Sequence, residues 1–139
     1  MNHETIRNWI MKAEHDLTIG LREMNADNPT TDMICFHMQQ CAEKYLKAYL
    51  IFREMDIKKS HDLAAILKDC IAADASFTVL LEKKIQMLTP YGTVVRYPDD
   101  FYMPTVEETR EAIDMTLAVK TFVRDKLKSI GFKFGNSET

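Results

Sequence analysis

The chain has 139 residues, 46% of them hydrophobic and 28% charged, with only four glycines and four prolines and a net charge of −3. This composition supports a packed core without disulfides or structural metal and excludes a disordered chain, and the slightly acidic balance excludes a protein that coats duplex nucleic acid through its overall field. No apolar run approaches the roughly 20 residues of a membrane span, the N-terminus is broken by charge every few residues, and Cys35, Cys41 and Cys70 form no CxxC pair, so a soluble cytoplasmic protein is expected.

Residues 4 to 24 place Ile6, Trp9, Ile10, Ala13, Leu17 and Leu21 at three- and four-residue steps, which predicts an amphipathic helix ended by NADNPTT. A second, longer helix is predicted from about Thr31 to Met55, closed by the polar DIKKS. Ser60 is a candidate cap for a third helix from His61 to about Ala72. A fourth, capped by Asp74 or Ser76, carries Phe77, Leu80, Leu81, Ile85 and Leu88 inward until Pro90 stops it. Residues 89 to 104 are too rich in Pro, Gly and Asp for a helix and longer than a minimal connection needs, as functional loops often are.

The last helix opens on Thr105 and Glu108 in capping-box spacing and runs to about Ser129, with Ile113, Leu117, Val119, Phe122, Val123 and Leu127 as its buried stripe and Gly131 as its stop. Nothing alternates as a strand would. The predicted fold is all-α, an antiparallel up-and-down bundle of about five helices forming one domain over residues 1–130, with 131–139 and the region around His3 expected to fray.

The informative stretch is ICFHMQQCAEKYLKAYLIF, residues 34 to 52. At about 100° per residue, His37, Gln40, Lys44 and Lys47 fall on one side of a helix that is apolar almost everywhere else. Taken alone the line reads as a solvated edge, with Glu43 and Lys47 as an i, i+4 pair worth about 0.3 kcal/mol. Two other segments add weight to a binding site. His61 and Asp62, after Lys58, Lys59 and Ser60, stand where free backbone N–H groups of a helix start could receive an anion. Arg96 lies between Tyr91, Tyr97 and Tyr102 on the long loop, a combination suited to a phosphate, a nucleobase or a partner surface, or to packing with Asp99 or Asp100.

Taken together, FHMQQCAEKYLKAYL, SHDL, the Y-x4-RYPDD loop and the W-x3-A-x2-DL pattern of Trp9, Ala13, Asp16 and Leu17 resemble the HEPN family, the higher-eukaryote and prokaryote nucleotide-binding domain, over residues 5 to about 128. The resemblance implies a helical bundle paired as a homodimer, in a family that includes nucleotide-binding proteins, partners of small nucleotidyltransferases and RNA-cleaving toxins. His37, Gln40, Glu43, Lys44 and Lys47 match the helix-two signature, His61 and Asp62 the HDL element, and Tyr91, Arg96, Tyr97 and Pro98 the late loop. The ribonucleolytic R-x4-6-H spacing is not met: Arg7 with His15 and Arg53 with His61 each have seven residues between them.

The expected function is nucleotide or nucleic-acid binding, as the non-catalytic partner of a small nucleotidyltransferase in a toxin–antitoxin-like module. The expected ligand-binding residues are His37, Gln40, Lys44, Lys47, His61, Asp62, Tyr91, Arg96 and Tyr97. The alternatives are a metal-independent endoribonuclease using His61 and Arg96, with enzyme status open, and a ligand-free interaction module. No cofactor or metal is expected, since His3, His15, His37 and His61 include no Glu-x-x-His pair.

Overall fold

The second helix is the axis of the molecule. A computed structural model describes residues 3–93 and 102–135, and among these every regular element is helical. The helices are α1 His3–Met24, α2 Thr31–Phe52, α3 Leu63–Ala73, α4 Thr78–Glu82 and α5 Val106–Ser129, with 3₁₀ turns at Ala75–Phe77 and Ile85–Gly92. Helix α2 packs against α1 on one flank and α5 on another, and against α3 and the second 3₁₀ segment on the remainder. It is buried almost all round, as its apolar composition requires.

The connections follow local chemistry. Glu23 accepts from both the backbone N–H and the hydroxyl of Thr30, at 3.0 and 2.9 Å, which closes the turn between α1 and α2. At the end of α2 the N–H of Glu54 bonds the Ile51 carbonyl and that of Met55 reaches Leu50. This is a Schellman turn with Glu54 in the left-handed position at φ 57°, and it stops the helix three residues before Met55. The capping box of α5 forms as its spacing predicts, and the Tyr102 hydroxyl donates to the Glu108 carboxylate at 2.5 Å.

Three expectations are corrected. The fourth helix does not run unbroken to Pro90: Lys84 adopts φ 63° and α4 ends after five residues. Leu81 on α4 is exposed, and the chain resumes as a 3₁₀ segment whose three-residue repeat buries Ile85 and Leu88 together and accommodates Pro90 within it. Leu117 on α5 is likewise more exposed than its place in the predicted stripe implies. His3 and residues 131–135, finally, are docked where fraying was expected, while 136–139 lie outside the described residues. Gly131 at φ 100° lets the Phe132 N–H reach the Leu127 carbonyl, which folds Phe132 back into the core against Phe52 and brings it to the ring of His3.

Among the described residues no helix is long and apolar enough to cross a membrane.

Candidate functional site: two buried carboxylates under a polar band

Asp16 is an acid on the apolar face of α1, one turn from Ala13 and adjacent to Leu17. Its Oδ1 lies 2.8 Å from His37 Nδ1 and its Oδ2 2.5 Å from Lys44 Nζ, both on α2. An ionised carboxylate only accepts, so both α2 groups donate to it. Gly20, one turn later, leaves room for the end of the buried Met38 side chain, whose Cε lies 2.3 Å from where a Cβ would stand. Beside His37 opens a groove of about 400 Å³ floored by Ile19, Met33 and Ile34, with Arg22, Glu23 and Thr30 at its rim.

One residue before Lys44, and so about 100° round the helix from it, Glu43 is the second centre. It is 4% exposed, and so is almost as buried as any core side chain. It receives Lys47 Nζ at 2.9 Å, Gln39 Nε2 at 3.0 Å and His61 Nδ1 at 3.0 Å. Gln39 also donates to the His61 carbonyl at 3.2 Å and accepts from Gln40 Nε2 at 2.7 Å. Burial pushes the Glu43 carboxyl up, but the hydrogen bonds from Lys47, Gln39 and His61 outweigh it and hold the group below the ordinary glutamate range. The Gln39 amide lies flat on Gly92, where a Cβ would stand 2.6 Å from its Cδ. Glycine at the end of the 3₁₀ segment is therefore what gives Gln39 its place.

The cationic line is thus divided in two. His37 and Lys44 belong to Asp16, Lys47 and His61 belong to Glu43, and Gln40 with Gln39 bridges the two centres. The Glu43–Lys47 pair is present but buried, not a solvated edge as i, i+4 spacing alone implied. The start of α3 is not an open anion cradle either. Asp62 caps it by accepting from the Ala64 N–H, Ser60 accepts from the Asp62 N–H, and the Leu63 N–H is held by Thr89 Oγ1 at 3.1 Å. Asp62 therefore serves the helix. Tyr91 is half-buried against the core, its hydroxyl pushed up to about 12 by burial. Arg96 and Tyr97 lie outside the described residues.

Sequence reasoning placed Asp16 in a family pattern and Glu43 in a pair with Lys47 but named neither as a site residue, and it did not single out Gln39 or Gly92. For Asp16 the available signal was an acid next to Leu17 with Ala13, Ile19 and Gly20 at three and four residues, whereas Glu43, with Gln39, Gln40, Leu46 and Lys47 at those steps, carried no such signal. A third acid, Glu14, accepts from the Tyr45 hydroxyl and from Lys120 Nζ at 3.0 Å, tying α1 to α5 beneath the band. Burial pushes the Tyr45 hydroxyl up, so it stays a donor to Glu14. Among the described residues no cluster of His, Cys, Asp and Glu is arranged to hold a metal.

The model of the HEPN domain matches residues 6–126. The chain belongs to the HEPN family. That family is one of nucleotide-binding and RNase-like proteins whose members often dimerise. Among solved structures, TT1696 from Thermus thermophilus is 27% identical with a TM-score of 0.71, the match covering 91% of this HEPN chain and 100% of that one. ST0689, an archaeal HEPN homologue, is 26% identical with a TM-score of 0.67, covering 88% of this chain and 97% of its own. No curated protein matches. The matched span contains most of α1 and all of α2 and α3, and hence both carboxylate centres.

Proposed function

We propose that this HEPN domain binds a nucleotide or nucleic acid along the polar band of α2, as the dimeric, non-catalytic partner of a small nucleotidyltransferase in a toxin–antitoxin-like module. The observation that carries the reading is the burial of Asp16 and Glu43 beneath that band. Removing carboxylates from water costs several kcal/mol per ion unless they are paired, and apolar residues of similar volume often serve stability as well or better. A band built on two such centres fixes the positions of its outer groups, which a solvated helix edge does not require.

In this reading Lys44, with one N–H on Asp16 and the others available, contacts phosphate oxygen. His37 and Gln40 add hydrogen bonds and the groove beside His37 receives the base. Lys47 and Asp62 support the site without touching the ligand: one neutralises Glu43 and the other caps α3. Arg96 and Tyr97 follow Gly92 by four and five residues, within a chain reach of about 14 to 18 Å, and supply a charge and a stacking ring. The buried Cys35, Cys41 and Cys70, which form no disulfide, suit a reducing cytoplasm.

Calorimetric titration with ATP, GTP and a short RNA tests the binding. Wild type should bind at least one, and Lys44→Ala should weaken it about tenfold or more, as expected for a charge-assisted contact. No heat with any of the three overturns the reading. Co-expression with a nucleotidyltransferase encoded beside the gene should yield one co-eluting complex; separate elution removes the partner role.

A second reading has its own support. A carboxylate-oriented imidazole is the usual form of an acid–base histidine, and His61 on Glu43 has it, with Arg96 to stabilise phosphorane charge. Metal-free cleavage of a mixed RNA pool by wild type and not by His61→Ala would establish the endoribonuclease; uncut RNA removes it.

A further inference from the structure

His61 is the one member of the band whose side chain is mostly outside the protein, at 71% exposure, although its Nδ1 is anchored on a carboxylate that is itself buried. That anchor determines what the outer nitrogen can do. Glu43 is held ionised by its three donors and has no hydrogen to give, so Nδ1 must carry the proton. The neutral ring then has its lone pair on Nε2. Free imidazole in water is under no such constraint, and a histidine receiving a phosphate would present N–H outward.

The surroundings point the same way. Lys47, the cation nearest to His61 through the shared carboxylate, is 5% exposed and engaged by Glu43, and Asp62 adds a second acid next in sequence. The backbone N–H groups of Leu63 and Ala64 are already occupied. Of the cations just before it in sequence, Lys58 pairs with Asp69 at 3.3 Å and Lys59 stands exposed, so the fixed feature of the position is the anchored ring and not a cationic cradle. What the position offers is one fixed acceptor for a neutral donor.

We infer that Nε2 of His61 accepts a hydrogen bond from a ribose hydroxyl, so that the site distinguishes ribonucleotides from their deoxy counterparts. This rests on the nucleotide-binding reading above and specifies its substrate class. Glu43 acts here as a positioning residue, since it sets the tautomer without meeting the ligand. Gln39 supports the same geometry from the other side by holding the His61 carbonyl.

The experiment has two arms. In ¹⁵N-detected imidazole spectra of the free protein, at a pH where His61 is seen to be neutral, its Nδ1 should be pyrrole-type and its Nε2 pyridine-type. The reverse assignment overturns the inference without any ligand. In titrations, ATP should bind about three- to tenfold more tightly than at least one of 2′-deoxy-ATP and 3′-deoxy-ATP, as one neutral hydrogen bond implies. His61→Ala, at an exposed position that leaves the fold intact, should erase that ratio while retaining binding. Equal affinity for all three nucleotides in wild type, or a ratio that survives in His61→Ala, overturns the ribose contact and leaves nucleotide binding standing. If GTP binds and ATP does not, the same comparison is read with GTP and its 2′- and 3′-deoxy forms; if neither nucleotide nor the short RNA binds, the underlying reading fails and takes the ribose contact with it.

Discussion

At the scale of single residues, the pair Glu43 and Lys47 decides how the band is built, because both are about 95% buried and neither has another full charge to satisfy it. Breaking such a pair from one side strands the other ion, which costs about 3 to 5 kcal/mol, whereas replacing both by apolar residues of similar volume is often neutral. Lys47→Met alone should therefore lower the unfolding free energy in urea by that amount, and Glu43→Leu with Lys47→Met should recover most of it. If the single change costs under about 0.5 kcal/mol, the pair is solvated and the band loses its buried foundation. Gly92 tests the same network from below. An added Cβ meets Gln39 at 2.6 Å, and Gln39 cannot withdraw without abandoning Glu43, the His61 carbonyl and Gln40. Gly92→Ala should cost about 1 to 3 kcal/mol, the usual range for overpacking, and should shift the His61 ring signals in proton NMR. Unmoved signals would mean that Gln39 adjusts freely.

At the scale of elements, the contrast between α5 and α4 shows what a sequence can disclose. The capping box of α5 is a contract among neighbours three residues apart, so Thr105 and Glu108 announce it before any fold is known. The break at Lys84 has no such announcement. A lysine in the left-handed region is imposed by the need to bury Ile85 and Leu88 against α2 and α3, and that need exists only in three dimensions. The band divides along the same line: the position of Lys44 and Lys47 on one side of α2 is helical arithmetic, while their assignment to Asp16 and Glu43 depends on how α1 and α3 approach. Asp74, between α3 and α4, is a further tertiary contact with a measurable signature. It accepts from the Ser76 hydroxyl and N–H, and pairs with Lys126 of α5 at 2.9 Å. These bonds hold its carboxyl at about 2, below its ordinary 3.8. A depressed acid stabilises the fold fully above the ordinary value, and its contribution disappears as pH falls through the depressed one. Wild type should therefore exceed Asp74→Asn in urea midpoint at pH 5, and the difference should shrink between pH 4 and pH 2. A difference constant across that window would show that Asp74 is not tied to Ser76 and Lys126.

At the scale of the whole molecule, one end of the bundle is closed by chain that follows the last helix. Gly131 reverses the backbone so that Phe132 is 3% exposed, with its ring 5.8 Å from Phe52 and 4.9 Å from Phe134. Arg7 of α1 donates to the carbonyls of Lys133 and Phe134 at 2.8 to 3.2 Å, and the Arg124 guanidinium lies 4.3 Å over the Phe134 ring. The segment thereby links the start of α1, the end of α2 and the end of α5, adding to the Glu14–Lys120 tie between α1 and α5. Composition hides this, since FKFGNSET after a helix-ending glycine looks like a loose tail, and only the aromatic pair spaced by one lysine hints at docking. Phe132→Ala should cost about 3 to 5 kcal/mol, as for other buried phenylalanines, and ending the chain after Ile130 should cost at least as much. A truly loose tail would give changes within about 0.5 kcal/mol. His61 and Glu43 make no contact with this end, so the truncated protein, while still folded at low temperature, should keep the wild-type His61 ring signals. Loss of stability together with displaced His61 signals would mean that the tail acts through α2 on the band, and the bundle end and the site would then have to be treated as one coupled unit.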